Sequence, residues 1–351
     1  MHAFLRMMPV MPWCVLKSAM LREQFWLKAR VHGYFPDSHV SPPLPGQMKR
    51  CCNPFLMTAV QANDKKEKTM SDRQKKYADA FRQLQQGPDI LVLPNAWDVM
   101  SAKIFEQALF QAVGTTSCGI AASMGYLDGE HVTFTEMIEV IERIVRNTTI
   151  PVNADIEAGY GKDIAGVIKT VRRVIQAGVA GINLEDATRN PDQPLFDMTF
   201  QCKKLQAIRE AAASAGIPLV INARVDTYLV PIHDPDARFN ETVKRANAYR
   251  QAGADCIFIP GSLDAAIISR LVAAIDAPLN VLASPVTPSV PELKALGVAR
   301  LSIGAGGFRS AMACVGKIAA ELAERGTYEA LFSDTLTKAE VDSLLKPCIS
   351  K

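Results

Sequence analysis

The sequence predicts a closed (β/α)8 barrel, a TIM barrel of the α/β class, with helices continuing to the C-terminus. Three observations carry this. From residue 89 onward, eight short apolar runs alternate with helix-period segments, the pattern of parallel strands buried on both faces. Glycine or proline turns announce several of the runs, at Ala177-Gly178, Gly216-Ile217-Pro218, Ala252-Gly253 and Leu296-Gly297. No GxGxxG follows the first run, so the open dinucleotide-binding sheet lacks its signature.

In chain order, Gln74–Gln86 reads as a helix ahead of the barrel. The strands are predicted at Ile90–Pro94, Ala112–Thr116, Val152–Ile156, Gly181–Glu185, Leu219–Val225, Cys256–Pro260, Leu279–Ala283 and Arg300–Ile303. Amphipathic segments separate them, among them Phe134–Arg146, Ile164–Ala177, Gln201–Ala215, Asn240–Ala252, Asp264–Ile275 and Pro291–Leu296.

Composition places the chemistry in one part of the chain. Of 351 residues, 48% are hydrophobic and 21% charged, as in an ordinary globular protein. The net charge of +3 is unevenly spread. Residues 1–69 hold ten Lys/Arg against four Asp/Glu, whereas the rest holds 29 against 32. The predicted organisation is a basic, poorly ordered extension over 1–69 and a barrel domain with C-terminal helices over 70–351. Met70-Ser71-Asp72-Arg73 reads as a start, and the acid-poor extension also has the composition of an organellar transit peptide. A mildly acidic body excludes a nucleic-acid surface. No apolar run approaches about 18 residues, so no membrane helix is expected. Eight cysteines without a CxxC offer no zinc ribbon or redox pair, and a reducing, cytoplasmic setting fits them.

Barrel enzymes draw active residues from the C-terminal ends of several strands. Those ends bring Asp155 and Glu157 from the third strand, Glu185-Asp186 from the fourth and Arg224 from the fifth. Asp155 and Glu157, spaced i, i+2, would share one face of a strand. Carboxylates this close repel, and a hard cation such as Mg²⁺ relieves them; two solvated acids are the plainer alternative. Arg224 offers a fork for a carboxylate or phosphonate, or else an ion pair with Glu185 or Asp226. Ser117-Cys118-Gly119 offers backbone N–H groups for an oxyanion, or forms an ordinary tight turn. No predicted strand carries a lysine for Schiff-base chemistry, and no GxSxG supports a serine hydrolase. Metal-stabilised enolate chemistry remains.

The runs Leu93–Asp98, Gly114–Ile120, Gly125–Glu130, Ala154–Gly161, Gly181–Asp186 and Asn222–Asp226 resemble, in order and spacing, the isocitrate lyase/phosphoenolpyruvate mutase superfamily from about residue 88 to 310. The resemblance implies a barrel whose displaced final helix is exchanged within a homodimer or homotetramer. It also implies Mg²⁺ (or Mn²⁺) and a small 2-oxo or 2-hydroxy carboxylate substrate. Carried over by motif, Asp155 is the metal ligand, with Glu157 and Glu185 holding metal waters. Asp128 borders metal and substrate, Ser117, Cys118 and Gly119 grip the carboxylate end, and Arg224 binds the substrate.

The departures narrow the reading. The lyases' Lys-Cys-Gly-His block is absent from the loop Ala187–Leu195, which has no cysteine. The mutase's Asn-Ser-Leu is absent too, although Asn190 could fill its asparagine role, and Pro260 stands where the mutase has a histidine. The expected activity is Mg²⁺-dependent cleavage of a C–C bond beside a 2-oxo or 2-hydroxy carboxylate through an enolate. The alternatives are a phosphoenolpyruvate or phosphonopyruvate mutase or P–C hydrolase, and a non-catalytic barrel that binds a carboxylic acid. The loop Ala187–Leu195 is expected to close over the site, bringing Arg189 and Asn190 to the substrate.

Overall fold

A computed structural model of the chain describes residues 71–346, so the basic extension over 1–69 lies outside the described residues. The described residues form one barrel of parallel strands with helices between them. Its strands are β1 (Leu91–Leu93 and Asn95–Ala96), β2 (Val113–Thr115), β3 (Val152–Asp155), β4 (Gly181–Glu185), β5 (Val220–Arg224), β6 (Cys256–Ile259), β7 (Leu279–Leu282) and β8 (Arg300–Ser302). All eight predicted strands are present. Among the described residues no helix is long and apolar enough to cross a membrane.

Closure turns on Pro94. It has no N–H to give, so β1 breaks there. Leu91–Leu93 pairs with Arg300–Ser302 on one side, and Asn95–Ala96 with Gly114–Thr115 on the other. The two halves of β1 thereby join β8 to β2, which leaves no open edge.

Outward-facing Ala154, Ile182, Ile221, Ile257, Val281 and Leu301 meet the surrounding helices in one apolar core. The alternation that predicted buried strands thus has a physical outlet on both sides. The interior is different. Behind the mouth lies a polar layer of Asn153, Asn183, Asn222, Asn280 and Arg300, none more than 3% exposed, where a barrel usually packs branched apolar side chains. Residues 71–84 form a helix under the strand starts, packing Ala78 and Phe81 against Leu91, Leu93, Ala180 and Val220. Gln74 pins this helix by donating to the carbonyls of Ile175 and Val179, at 2.9 and 3.0 Å.

Several bounds differ from expectation for local reasons. The helix predicted at Asn240–Ala252 runs Pro235–Gln251, because Asp234 caps it and Pro235 suits its first turn. Helices Val99–Gln107 and Ser117–Ser123 were not predicted; the first is secured by an Asp98/Ser101 capping box. The predicted loop Ala187–Leu195 is a two-stranded antiparallel hairpin, Ala187–Asn190 with Gln193–Leu195. Its turn, Asn190-Pro191-Asp192-Gln193, is closed by the Asn190 side chain accepting from the Asp192 N–H at 3.1 Å.

Gly181, at the start of β4, is a point of close approach between helix and barrel. A Cβ there would stand 2.9 Å from both the Phe81 ring and the Val220 carbonyl, and 2.8 Å from Asn153 Oδ1. Gly181→Ala is therefore expected to destabilise the protein by about 1–3 kcal/mol, the range for overpacking a core. Urea unfolding of the two proteins measures the difference; equal midpoints would show that the helix yields freely.

Candidate active site

A cavity of about 130 Å³ lies at the C-terminal mouth of the barrel, lined on its polar side by Ser117, Cys118, Asp128, Asp155, Asn183 and Arg224. Leu229, Phe258, Pro260 and Leu282 complete the wall. A larger hollow of about 650 Å³ sits at the opposite end, among Tyr77, Leu84, Pro88 and Ile90. It is the bigger space, but none of the predicted site residues lines it, so the chemistry belongs to the smaller one.

Asp155 ends β3. Its N–H donates to Thr115 Oγ1 at 2.8 Å, and its Oδ2 accepts from the Ser117 N–H and hydroxyl, at 3.1 and 2.9 Å. Its Oδ1 is buried and has no hydrogen-bond partner among the described residues. Asp128 approaches from the loop before the helix Phe134–Asn147, with Oδ1 3.4 Å from the Ser117 hydroxyl.

The expectation that Glu157 shares a strand face with Asp155 fails, because the strand ends at Asp155 and Glu157 turns left-handed, φ 51°. Its carboxylate accepts from the Glu130 N–H at 2.6 Å and the Tyr160 hydroxyl at 2.8 Å, which ties two loops together. Burial pushes its pKa up to about 7, against the lowering pull of the Tyr160 bond. Glu185 is 1% exposed and lies 2.6 Å from Arg189 Nη2 and 2.7 Å from Arg224 Nη1. Burial raises its pKa even so, with the two guanidinium groups opposing.

Arg224 realises both ion pairs considered from sequence. Asp226 takes its Nε and Nη2 at 2.6 and 2.9 Å, while Glu185 takes Nη1. A guanidinium has five N–H groups; two bond Asp226, and the Glu185 contact at Nη1 is an ion pair without a hydrogen bond at Oε2, so N–H capacity remains for a ligand. Asp186 does not join the mouth. Its carboxylate faces outward, accepting from the Asp226 N–H, the Tyr249 hydroxyl (2.7 Å) and Arg245 (3.1 Å). Of the four strand-end acids only Asp155 lines the cavity itself; Glu157 and Glu185 are buried beside it, bound to the surrounding loops and arginines.

The turn Ser117-Cys118-Gly119 also offers less than expected. The Ser117 N–H is held by Asp155 and the Gly119 N–H caps onto Thr116 Oγ1 at 3.3 Å. Of the three, only the Cys118 N–H makes no hydrogen bond to a described residue. Burial raises the pKa of the Cys118 thiol, with Asp128 adding to the effect. Asn190 is exposed at the hairpin turn and does not line the cavity. Arg189, on the same hairpin, reaches in to Glu185 and stands 3.6 Å from Glu157.

Five described non-glycine residues have left-handed backbones, and four of them, Glu130, Glu157, Tyr160 and Arg189, ring this mouth. Strain of this kind costs about 1–3 kcal/mol per residue and gathers where function demands it. Glu130, Tyr160 and Asn183 were missed from sequence. Asn183 had a readable signal, since it stands one inward position before Glu185.

Among the described residues no group of three or more His, Cys, Asp or Glu side chains stands close enough to hold a metal by itself. The donor set instead fits a hard cation with one direct protein ligand. Asp155 Oδ1 is an unpartnered buried oxygen, and Mg²⁺ keeps most of its waters.

A family model described as phosphoenolpyruvate phosphomutase matches residues 81–323. The 2-methylisocitrate lyase of Halalkalibacterium halodurans is 33% identical, over 76% of this chain and 89% of its own length. The 2,3-dimethylmalate lyase of Eubacterium barkeri is 35% identical over 52% of this chain and 62% of its own. The crystal structure of a protein from Burkholderia cenocepacia J2315, described as a lyase/mutase, superposes with a TM-score of 0.74. It is 32% identical, over 79% of this chain and 98% of that one.

Glu157 carries a test in pH. Its pKa is raised from 4.5 to about 7, so between these values the folded state keeps a proton that the unfolded state has released. Stability then falls as pH rises through this window. Metal-free protein is expected to unfold at lower urea at pH 7.5 than at pH 5, and Glu157→Gln to flatten that slope. A slope unchanged by Glu157→Gln would place the effect elsewhere.

Proposed function

Because the chain belongs to the isocitrate lyase/phosphoenolpyruvate mutase superfamily of enzymes, we propose that it is a Mg²⁺-dependent lyase that cleaves a C–C bond beside the carboxylate of a small 2-oxo or 2-hydroxy acid. The observation that carries this reading is the buried, unpartnered Asp155 Oδ1 in a cavity that also meets Arg224 and the Cys118 N–H.

Asp155 would hold the cation directly, with Glu157 and Glu185 facing its waters. The cation supplies Lewis-acid stabilisation of the negative charge that develops on the substrate's oxygens. The chain's own residues do the rest. Asp226 and Glu185 fix the Arg224 plane, so its remaining N–H groups meet a substrate carboxylate without reorganisation. The Cys118 N–H donates to the other end of the substrate. Ser117 holds Asp155 in place by two hydrogen bonds to Oδ2, which leaves Oδ1 unpartnered. Asp128, within reach of the Ser117 hydroxyl, is the carboxylate placed to exchange a proton at the substrate.

The small cavity and its apolar wall of Leu229, Phe258, Pro260 and Leu282 support a short acid with an alkyl substituent over a tricarboxylate. The match to the phosphomutase model keeps P–C chemistry on phosphonopyruvate as the second reading. Met312, Val315 and Leu322 are 45–55% exposed on the helix Gly306–Arg325, which supports a partner copy covering it in a dimer or tetramer.

Asp155→Ala is expected to abolish turnover and Mg²⁺ binding in a protein that stays folded, and EDTA to silence the wild type. Pyruvate release from 2-methylmalate-type diacids, set against phosphate release from phosphonopyruvate, separates the two readings. Activity that survives EDTA removes the proposed mechanism.

The hairpin is the lid in this scheme, because an enolate left open to water is protonated early. Asn190→Ala is expected to lower turnover about tenfold or more, the scale of one lost hydrogen bond to a charged group, with a smaller effect on melting temperature from the lost turn hydrogen bond. Mg²⁺ with oxalate should slow protease nicking between residues 188 and 193. Unchanged nicking and unchanged kinetics return the hairpin to an ordinary surface element.

A further inference from the structure

Three asparagines stand one inward position beneath three site residues: Asn153 under Asp155, Asn183 under Glu185 and Asn222 under Arg224. They meet at one atom. Asn183 Oδ1 accepts from Asn153 Nδ2 at 2.9 Å, from Asn222 Nδ2 at 2.7 Å and from Arg300 Nη2 at 3.4 Å. Arg300 is fully buried, with its guanidinium 5.6 Å from the centre of the Phe81 ring. Its Nε and Nη1 have no hydrogen-bond partner among the described residues.

The amides alone could bond in either sense. With all three reversed, Asn183 Nδ2 would donate to the oxygens of Asn153 and Asn222, and the count of hydrogen bonds would be similar. Arg300 breaks this tie, because a guanidinium can only donate. Reversal would set the Asn183 N–H groups against a buried cation in a medium where that repulsion is poorly screened. Asn183 must therefore turn its oxygen into the barrel. Its Nδ2 makes no hydrogen bond to a described residue, is not among the fully buried polar atoms left without a partner, and belongs to a side chain that lines the mouth cavity.

We infer that Asn183 Nδ2 is a hydrogen-bond donor to an oxygen of the bound carboxylate substrate, and that Arg300 is the positioning residue that locks its orientation. This rests on the reading of the cavity as a small-carboxylate site. It adds a neutral donor on the cavity floor to the Arg224 guanidinium and the Cys118 N–H. A neutral amide there can meet developing negative charge without competing with Glu185 for Arg224.

The test uses the full chain and oxalate as probe, with calorimetric binding in Mg²⁺, Mn²⁺ affinity by electron paramagnetic resonance, and melting temperature. Asn183→Asp keeps the acceptor and removes the donor. It is expected to melt no lower than wild type, since the new carboxylate faces Arg300, and to bind oxalate about tenfold or more weakly. Asn183→Ala, which adds no charge, should lose a similar factor in oxalate affinity while Mn²⁺ affinity stays within about threefold; this separates the missing donor from repulsion. Arg300→Met should weaken oxalate binding, and Arg300→Lys should restore part of it. If wild type binds oxalate and both Asn183 variants bind it equally well, the inference is overturned and the carboxylate site stands. If Asn183→Ala loses Mn²⁺ as severely as oxalate, Asn183 is merely structural and the inference is overturned. If wild type binds none of the acids offered, the carboxylate reading fails and the inference with it.

Discussion

Glu185 is an acid that water barely reaches, and the construction of the mouth follows from compensating it. A buried carboxylate is tolerable only beside close opposite charges or hydrogen-bond donors. Arg224 and Arg189 approach it from opposite sides. Each brings its own constraint. Arg224 is braced by Asp226, whose N–H rests on Asp186, which is held in turn by Tyr249 and Arg245 of the helix Pro235–Gln251. One acid at the end of β4 therefore reaches, through Arg224, Asp226 and Asp186, to a helix on the outside of the barrel. Arg189 does the corresponding work for the hairpin. Such a network adds little net stability, because desolvation cancels most of the attraction. Its product is position, which a site acting by pre-placed charge requires.

The loops around the mouth obey a second constraint. Glu157 serves as an acceptor for the Glu130 backbone and the Tyr160 hydroxyl, and Tyr160 returns its own N–H to Glu130 at 2.7 Å. Three left-handed residues thus bond to one another in a closed set, so the strain of each is sustained by the other two. A carboxyl whose pKa lies near 7 at the centre of this set makes the loops responsive to protonation and to any cation that favours the ionised form. The hairpin carrying Arg189 closes over the same group, with the Arg189 stem lying across Gly129.

The interior inverts the usual arrangement. A barrel core of asparagines and one arginine gives up apolar packing, and the apolar core moves outside the sheet, between strands and helices. The helix over 71–84 seals the far end with Phe81, keeping water from the polar layer. The molecule thereby has a buried, polar axis running from Arg300 to Asp155. Along such an axis hydrogen-bond direction is well defined, because few alternative partners exist.

The fold was legible in the sequence because its cause is local. Apolar runs of strand length, helical periods and Gly/Pro turns depend on residues close in the chain, so all eight strands could be placed within a residue or two. Asp155, Glu185 and Arg224 were legible for the same reason, since each ends a strand of a fold that puts strand ends at the site. Glu157 was misread where a left-handed turn broke the strand period, and Asp186 where neighbours in sequence faced opposite ways. The pairings were not legible at all. Ser117 reaches Asp155 across 38 residues and Arg300 reaches Asn183 across 117. Which N–H groups stay free, which guanidinium protons remain for a ligand and which way an amide turns are decided by partners that only closure of the barrel brings together. Sequence alone determined the kind of barrel and the residues at its mouth. Tertiary structure decided what each of them has left to offer, because a hydrogen-bonding group's chemistry is set by the partners it has already taken.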